Sequence, residues 1–540
     1  MSPIDAAPWG GAGGKLLTLP NIAIGVALGL VLYCVGLAVY RIWFHPLSKY
    51  PGPVDMAISD FSYNFQASIT GSMVRRVERL HRKHGKVVRI GPDRLSFDGS
   101  VAFPEVFAHR PGGDASEFHK TPGFFFPDDH RSIIGAPTRD EHRRHRRHLA
   151  HAFSDSALSA QEPILQHYVD LFIQRLSESA MGGSKPVAMM DWLNYITFDI
   201  IGDLSLGESF GSLSSGEYHV WVNNMFKGIR GSCLARFFVS LGPLAFLALL
   251  DPDGSLKAWK YNFIYGRGKA KARIALGADA PHKTEARTTG ASQLTGPRSD
   301  FFAYMMRNMD SEKGGLTSEE MELNAVLLIS AGSETTGTAL AVLLFTLSQP
   351  RYRALRDAVV AEVRGCFPAE ADVTLRAVKH LPLLHACIEE ALRFHPPAAD
   401  LPPRVSPGAI VDGQFLPKGT FVHCYNYSTL RNPENFVDPD EFLPQRFLPA
   451  DHPMYDARVA VGASRAVFKP FSHGPRDCIG KNLAFAEMHL VAARVLLRFD
   501  IELGEGTGTD WLDRQPNFLV WEKPQLWLKM TERKDLKLNE

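Results

Sequence analysis

Hydrophobic positions divide the chain into one short segment of membrane character and a long remainder with mainly helical periodicity. Ile22 to Tyr40 carries no charge and is almost wholly apolar, and about 19 such residues suffice for a helix to cross a bilayer. The run is longer than the apolar core of a cleaved leader and no small-x-small site follows it, so a permanent anchor is expected. Arg41, His45 and Lys49 follow it closely whereas only Lys15 precedes it, which places its C-terminal side in the cytosol by the positive-inside rule. Residues 40–53 combine aromatics and bases with Pro46, Pro51 and Pro53, a composition for a short stiff connector at a membrane interface.

Beyond the connector, alternation over Lys86–Phe97 predicts a small hairpin turning at Gly91-Pro92-Asp93. Residues 110–130 are rich in Gly, Pro and Phe and read as a loop. Residues 155–270 read mainly as amphipathic helices, with 191–202 the most apolar, and 276–299 as a surface loop. Helical periodicity then runs from Thr317 to Ser348, where Pro350 ends it. Residues 402–404 and 413–420 read as turns and strands, and Pro516–Trp521 as a last hairpin. The division is thus a flexible N-terminus with Gly10-Gly11-Ala12-Gly13-Gly14 (1–20), the anchor (21–41), a proline-rich hinge (42–53) and one mainly helical domain with small β-sheets (54–540).

Composition narrows the function. Lys plus Arg is 59 and Asp plus Glu 58, a net charge of +1, so no global field favours nucleic acid. The six cysteines are scattered without CxxC pairs, which speaks against a disulfide framework or zinc ribbon. One basic run remains, Glu141-His142-Arg143-Arg144-His145-Arg146-Arg147-His148. Alone it would suggest a nuclear signal or nucleic-acid face, and its three histidines a metal site. Nothing else in the chain supports either.

The chemistry centres on Phe471-Ser472-His473-Gly474-Pro475-Arg476-Asp477-Cys478-Ile479-Gly480. A thiolate just before a helix is favoured by backbone N–H groups and the helix dipole. Gly474 and Gly480 remove side chains that would keep a flat ligand from the sulfur, and Arg476 can pair with an anionic group. A buried structural cysteine in a tight turn is the plain alternative. Two further clusters need explaining. Ala331-Gly332-Ser333-Glu334-Thr335-Thr336 puts glycine and hydroxyls inside an apolar helix, either as a kink or packing site or as a functional opening. Glu390-x-x-Arg393 places both charges on one helix face with apolar flanks, so burial and further partners are expected.

The pattern Phe-x-x-Gly-x-Arg-x-Cys-x-Gly is similar to the haem-binding loop of the cytochrome P-450 family, and the other motifs follow in that family's order over residues 40–530. The connector resembles the hinge of microsomal members from filamentous fungi. The resemblance implies a cytochrome P-450 fold behind a single-pass transmembrane helix in the endoplasmic reticulum, with the domain facing the cytosol. It makes Cys478 the axial ligand of the iron of haem b. Phe471 would pack on the cysteine side of the ring, with Gly474 and Gly480 shaping the loop. Arg476, Arg146 and Arg404 would meet haem propionates, and His142 would stand where the family usually has a tryptophan. The remaining arginines of the basic run would face solvent and suit an acidic redox partner. Thr335 would hydrogen-bond bound oxygen and Glu334 relay protons. Arg446 would close a structural Glu390–Arg393–Arg446 network, and residues 110–130, Ala398–Leu401 and the last hairpin would line or cap the substrate cavity.

The implied function is insertion of one oxygen atom from O2 into a hydrophobic small molecule, expected to be a fungal secondary-metabolite intermediate (polyketide, terpenoid or alkaloid). Electrons would come from NADPH through NADPH-cytochrome P-450 reductase, with cytochrome b5 as a possible second donor. Membrane lipid is an expected partner and nucleic acid is not. A haem-thiolate isomerase, dehydratase or peroxygenase that does not need NADPH, or a haem-bound sensor or carrier, remain the alternatives.

Overall fold

The computed structural model describes residues 19–121, 124, 131–242, 245–246, 251, 254–278, 300–307 and 314–533. The expectations for residues 1–18, most of the 276–299 loop, and 122–123 and 125–130 of the 110–130 loop lie outside these residues. Helix α1 (Leu19–Val39) continues into a wider turn at Tyr40–Phe44. None of α1 is buried, and it is long and apolar enough to cross a membrane. The connector after it packs against the domain. Leu47 is buried, and Pro51 O accepts from Arg89 N at 2.7 Å while Arg41 O accepts from Arg89 Nη1 at 2.8 Å. A Cβ at Gly52 would lie 2.1 Å from Arg89 O, so only glycine fits this contact.

Arg89 belongs to β1 (Val87–Gly91), which pairs antiparallel with β2 (Arg94–Phe97) around the turn read in the sequence. After α2 (Met73–His84) and this hairpin, β3 (His119–Lys120), β5 (Arg404–Val405) and β8 (Phe421–His423) complete a five-stranded sheet ordered β1-β2-β8-β5-β3, in which β2 and β8 run parallel. A second sheet joins β4 (Val187–Ala188), β12 (Trp527–Glu532) and β9 (Phe499–Leu503), and hairpins β6–β7 (Ala409–Val411, Gln414–Leu416) and β10–β11 (Asn517–Phe518, Val520–Trp521) stand apart.

Helices form the bulk: α3 (Arg139–Ala150), α4 (Asp155–Ala180), α5 (Met189–Leu206), α6 (Val220–Ser240), α7 (Ser255–Ala275), α8 (Ser318–Ser348), α9 (Arg353–Cys366), α10 (Pro382–Phe394) and α11 (Lys481–Arg498). Local chemistry sets their ends. Thr317 and Glu320 form a capping box at the start of α8, and Thr138 and Glu141 do the same for α3. Helix α8 runs through the core, with its last thirteen residues, Thr336 to Ser348, wholly buried. It meets α5, α7, α10 and α11, so residues on its middle turns face whatever those helices enclose. Helix α5 is buried all round from Leu193 onward rather than amphipathic, which explains its position as the most apolar stretch of 155–270.

Candidate active site

Residues 471–480 form a tight loop ahead of α11. Gly474 has φ +80° and a Cβ there would meet Phe107 O at 2.0 Å, so both backbone conformation and space require glycine. A short 3₁₀ turn, Gly474–Arg476, follows, and Cys478 N donates to Phe471 O at 2.9 Å to close the loop. Phe471 packs on Phe485 of α11 with ring centroids 5.3 Å apart. The Cys478 side chain is exposed, yet protein surrounds it on most sides, and its opening lines a cavity. Burial pushes its thiol up, with the Asp477 carboxylate adding to this; the Gly480 amide and Arg146 favour the thiolate.

The cavity measures about 440 Å³ and its lining is mostly apolar. A larger hollow of about 780 Å³ is a charged groove open at the surface between α4 and α11, lined by Glu162, Asp170 and Arg494; none of the candidate residues lies in it. Around the sulfur the enclosed cavity is bounded by Phe471, Gly480, Leu483 and Glu487, and at its flank by Lys120, His142, Arg404 and Arg476. At Gly480 the conformation is ordinary, and a Cβ would find only Phe153 at 3.9 Å and the Cys478 sulfur at 4.0 Å. The protein itself therefore does not demand glycine there; what the missing side chain leaves is open space beside the sulfur.

The flank is rich in positive charge. Arg476 donates from Nε to Glu117 at 2.8 Å and to Ala136 O and Thr138 O at 2.6 and 3.2 Å. Burial works against the Glu117 carboxylate, but hydrogen bonds from Arg139 and Arg476 hold it below the usual range. Arg404 is buried, its Nε has no partner among the described residues, and its other hydrogen bond is a 3.3 Å one to Phe118 O. Burial, then Arg476, lowers it to about 9. His142 is brought down to about 2 by burial and by the fields of Arg476, Lys120, Arg146 and Arg404, so it stands neutral. Buried cations with too few carboxylates are costly unless an anion joins them. A flat group with carboxylates at one edge fits this flank and the space at Gly480.

Arg146 holds the cysteine loop. Its Nη1 donates to Asp477 O and its Nη2 pairs with Asp477 Oδ1, both at 2.7 Å, so it clamps the cysteine loop from outside the cavity lining. Lys120, from β3, lines the cavity and had no motif to betray it. Of the arginines expected to face solvent, Arg143 and Arg147 do, whereas Arg144 turns inward to pair with Glu320 at the start of α8. The three histidines have separate surroundings. His142 faces the cavity, His145 meets Asn324 at 3.1 Å and His148 Nε2 meets Gly314 O at 3.0 Å. No group of three or more metal-ligating side chains occurs among the described residues.

The opposite wall is α8, which shows Ala331, Gly332, Thr335 and Thr336 to the cavity. The helix is unbroken, and its hydroxyls are satisfied within it: Ser330, Ser333, Thr335 and Thr338 each donate to the carbonyl four residues back, Thr335 to Ala331 O at 2.7 Å. A Cβ at Gly332 would come within 2.8 Å of Ile201, so this glycine serves the close approach of α5. Glu334 points away from the cavity. It is buried, its Oε1 pairs with Lys523 Nζ, and its Oε2 has no partner among the described residues. Lys523, which also donates to Trp521 O at 3.0 Å, follows the β10–β11 hairpin whose Leu519 and Val520 line the cavity. A buried acid calls for a cation, but nothing in the local pattern could name one 189 positions away.

Behind the loop, Glu390 and Arg393 make two 2.8 Å hydrogen bonds, and Arg446 Nε donates to Glu390 Oε1 at 3.2 Å, all three side chains fully buried. Arg393 donates further to Leu430 O, Pro439 O and Glu441 O, and Leu443 N to Glu390 at 2.7 Å. The expected network is present.

A family model described as Cytochrome P450 matches residues 53–529. Among curated proteins, the chain is 40% identical over 501 residues to the cytochrome P450 monooxygenase astJ of Aspergillus oryzae, covering 92% of this chain and 94% of that one. It is 35% identical to an averantin hydroxylase of Dothistroma septosporum, covering 93% and 90% of the two chains. It is also 35% identical to a trichothecene C-15 hydroxylase of Fusarium sporotrichioides, covering 94% and 97%.

Proposed function

On the premise that the chain belongs to the cytochrome P450 family and is a monooxygenase, we propose that it hydroxylates, or otherwise oxygenates, an apolar fungal metabolite. The averantin and trichothecene hydroxylases among its relatives support that substrate class. Cys478 would ligate the iron of haem b. Arg404 and Arg476, with Lys120 and neutral His142, would hold its carboxylates at the flank of the cavity. Bound under a thiolate, haem supplies activation of dioxygen, the sulfur's electron density favouring O–O cleavage. The observation that carries this reading is that Cys478 and Thr335 line the same mostly apolar cavity.

The chain's own groups then divide the work. Thr335 offers a hydroxyl that is anchored through Ala331 O and keeps its lone pairs toward the cavity, where it can accept or pass a proton. Glu334, one residue earlier, holds the adjacent carboxylate on the far side of the helix, under the control of Lys523. The apolar lining keeps water from the reacting carbon. Electrons come from NADPH through a separate NADPH-cytochrome P450 reductase, with cytochrome b5 as a second possible donor. The apolar helix α1 anchors the protein in the endoplasmic reticulum with the domain in the cytosol, as Arg41 and Lys49 favour.

The test is reconstitution with reductase and a panel of polycyclic polyketides and sesquiterpenes. Substrate-dependent NADPH consumption with one labelled oxygen atom from O2 in the product is the expected result. Thr335→Ala should lower product formed per NADPH by about tenfold or more, within the range of lost proton-transfer catalysis. Turnover that proceeds without NADPH would replace this reading with an isomerase, dehydratase or peroxygenase.

A further inference from the structure

Asp400 lies in the segment between α10 and β5, bracketed by Pro396-Pro397 and Pro402-Pro403. Its neighbours are pinned on both sides: Tyr427 N donates to Ala399 O at 3.2 Å and Leu401 N to Cys424 O at 3.1 Å. The carboxyl is therefore held in one place. It lines the cavity, and protein encloses it on every other side. Oδ1 is buried without a partner among the described residues.

Such a group is rare, because a buried carboxyl without partners gives up its hydration for nothing. The surroundings offer only partial relief. Arg236 is the strongest positive influence on Asp400 and Arg94 the next, but neither pairs with it. Arg236 donates to Phe124 O at 3.3 Å and reaches the Cys233 sulfur at 3.1 Å, while Arg94 pairs with Asp60 at 2.8 Å. Two other cavity-lining polar groups also have an unpartnered oxygen, Asn262 Oδ1 and Glu487 Oε2. Asn262 is tied through Nδ2 to Asn224 O at 2.6 Å. Glu487 stands on α11, the helix of the cysteine side. Asp400 is the one rigidly mounted acid on the wall shared with Ala398, Leu401 and the β10–β11 tip, where a substrate would lie.

Resting on the oxygenase reading above, we propose that Asp400 is the polar anchor of the substrate site, accepting a hydrogen bond from a hydroxyl or ammonium group on an otherwise apolar substrate. One fixed acceptor in an apolar cavity sets orientation more than affinity, since it fixes which end of the molecule faces away from the sulfur. A substrate lacking the donor leaves the carboxyl unsatisfied and is disfavoured, which is a stronger discrimination than shape alone provides. Burial pushes the Asp400 carboxyl up to about 8. A hydroxyl can therefore meet it as a neutral acid, whereas an ammonium beside it would favour the carboxylate, the proton leaving to solvent.

The two donor chemistries are separable with 1-alkylimidazoles, whose ring nitrogen binds haem iron and reports through the shift of the haem absorption band. The series carries tails of increasing length ending in methyl, hydroxyl or ammonium, titrated into the full-length holoprotein. We expect one tail length at which a polar ending binds wild type about tenfold tighter than methyl, the better of hydroxyl and ammonium naming the donor. Asp400→Leu should reverse that order. Asp400→Asn, which preserves shape and guards against a folding defect, should keep a hydroxyl preference and lose an ammonium one. Preference for methyl at every length in wild type, or an order unchanged in Asp400→Leu, overturns the proposal. If no imidazole shifts the band in any variant, the haem-thiolate reading itself has failed, a result distinct from both.

Discussion

The two sides of the cavity handle buried charge in opposite ways. Behind the cysteine loop, Glu390, Arg393 and Arg446 are fully buried, and each finds several partners on the next strands of chain. Facing the cavity, Arg404 is buried and Asp400 half-buried, and each leaves a hydrogen-bonding atom without a partner among the described residues. Both arrangements place charge in a low-dielectric interior, where desolvation weighs against ionisation. The saturated network is scaffolding, since everything it needs is in the chain. The unsaturated groups mark where the chain awaits something it does not contain: an anion at Arg404, a hydrogen-bond donor at Asp400.

Breaking the saturated side should have the largest effect. Glu390→Ala leaves two buried guanidiniums without their carboxylate, and loss of one member of such a pair costs about 3–5 kcal/mol. We expect little folded, haem-loaded protein, read from the denaturation midpoint and haem content at purification. Near-normal loading would show that the network is dispensable and blunt the contrast. On the unsaturated side, Arg404→Leu removes a buried cation that the chain itself barely uses. Folding should survive while haem is released roughly tenfold to a hundredfold faster to a scavenger globin, as expected for one charged hydrogen bond of about 1.5–3 kcal/mol. An unchanged release rate would remove Arg404 from the haem edge.

A further effect concerns pH. Burial raises Asp400 to about 8, with Arg236 and Arg94 opposing and Tyr63 and Tyr425 beside it, whereas the unfolded carboxyl ionises near 3.9. Between those values the folded protein keeps a proton that the unfolded chain releases. Stability therefore falls as pH rises from about 4 to about 8, by up to about 1.4 kcal/mol per pH unit for one proton. Asp400→Asn should flatten that slope, so that its advantage over wild type in denaturation midpoint is greatest near pH 8. Parallel curves for the two proteins would mean that the carboxyl titrates normally and is not desolvated.

What could be read in the sequence was chiefly what is local. The apolar period from Thr317 and Pro350 bounded α8; the turn Gly91-Pro92-Asp93 bounded a hairpin; the spacing of Phe471, Gly474, Arg476, Cys478 and Gly480 announced the loop. What escaped depends on chain segments that meet only after folding. Lys523 reaches Glu334, Glu117 meets Arg476 and Arg139, Lys120 enters the cavity from β3, and Arg144 finds Glu320. Arg146 illustrates the same limit. Its helix and register were legible, but the pull of Asp477, which turns it onto the loop, was not. The connector at 42–53 reads as a short stiff hinge, and its seat on β1 rests on the contact of Gly52 with Arg89.

The account stands on Cys478 as the thiolate ligand of haem iron at the cavity's base. The most direct measurement is the difference spectrum of the reduced protein with carbon monoxide, for wild type and Cys478→Ala. A Soret band strongly red-shifted from that of histidine-ligated haem, and absent in the variant, is the predicted result. A protein without haem, or a band that the substitution leaves in place, would contradict the assignment and everything built on the cavity around it.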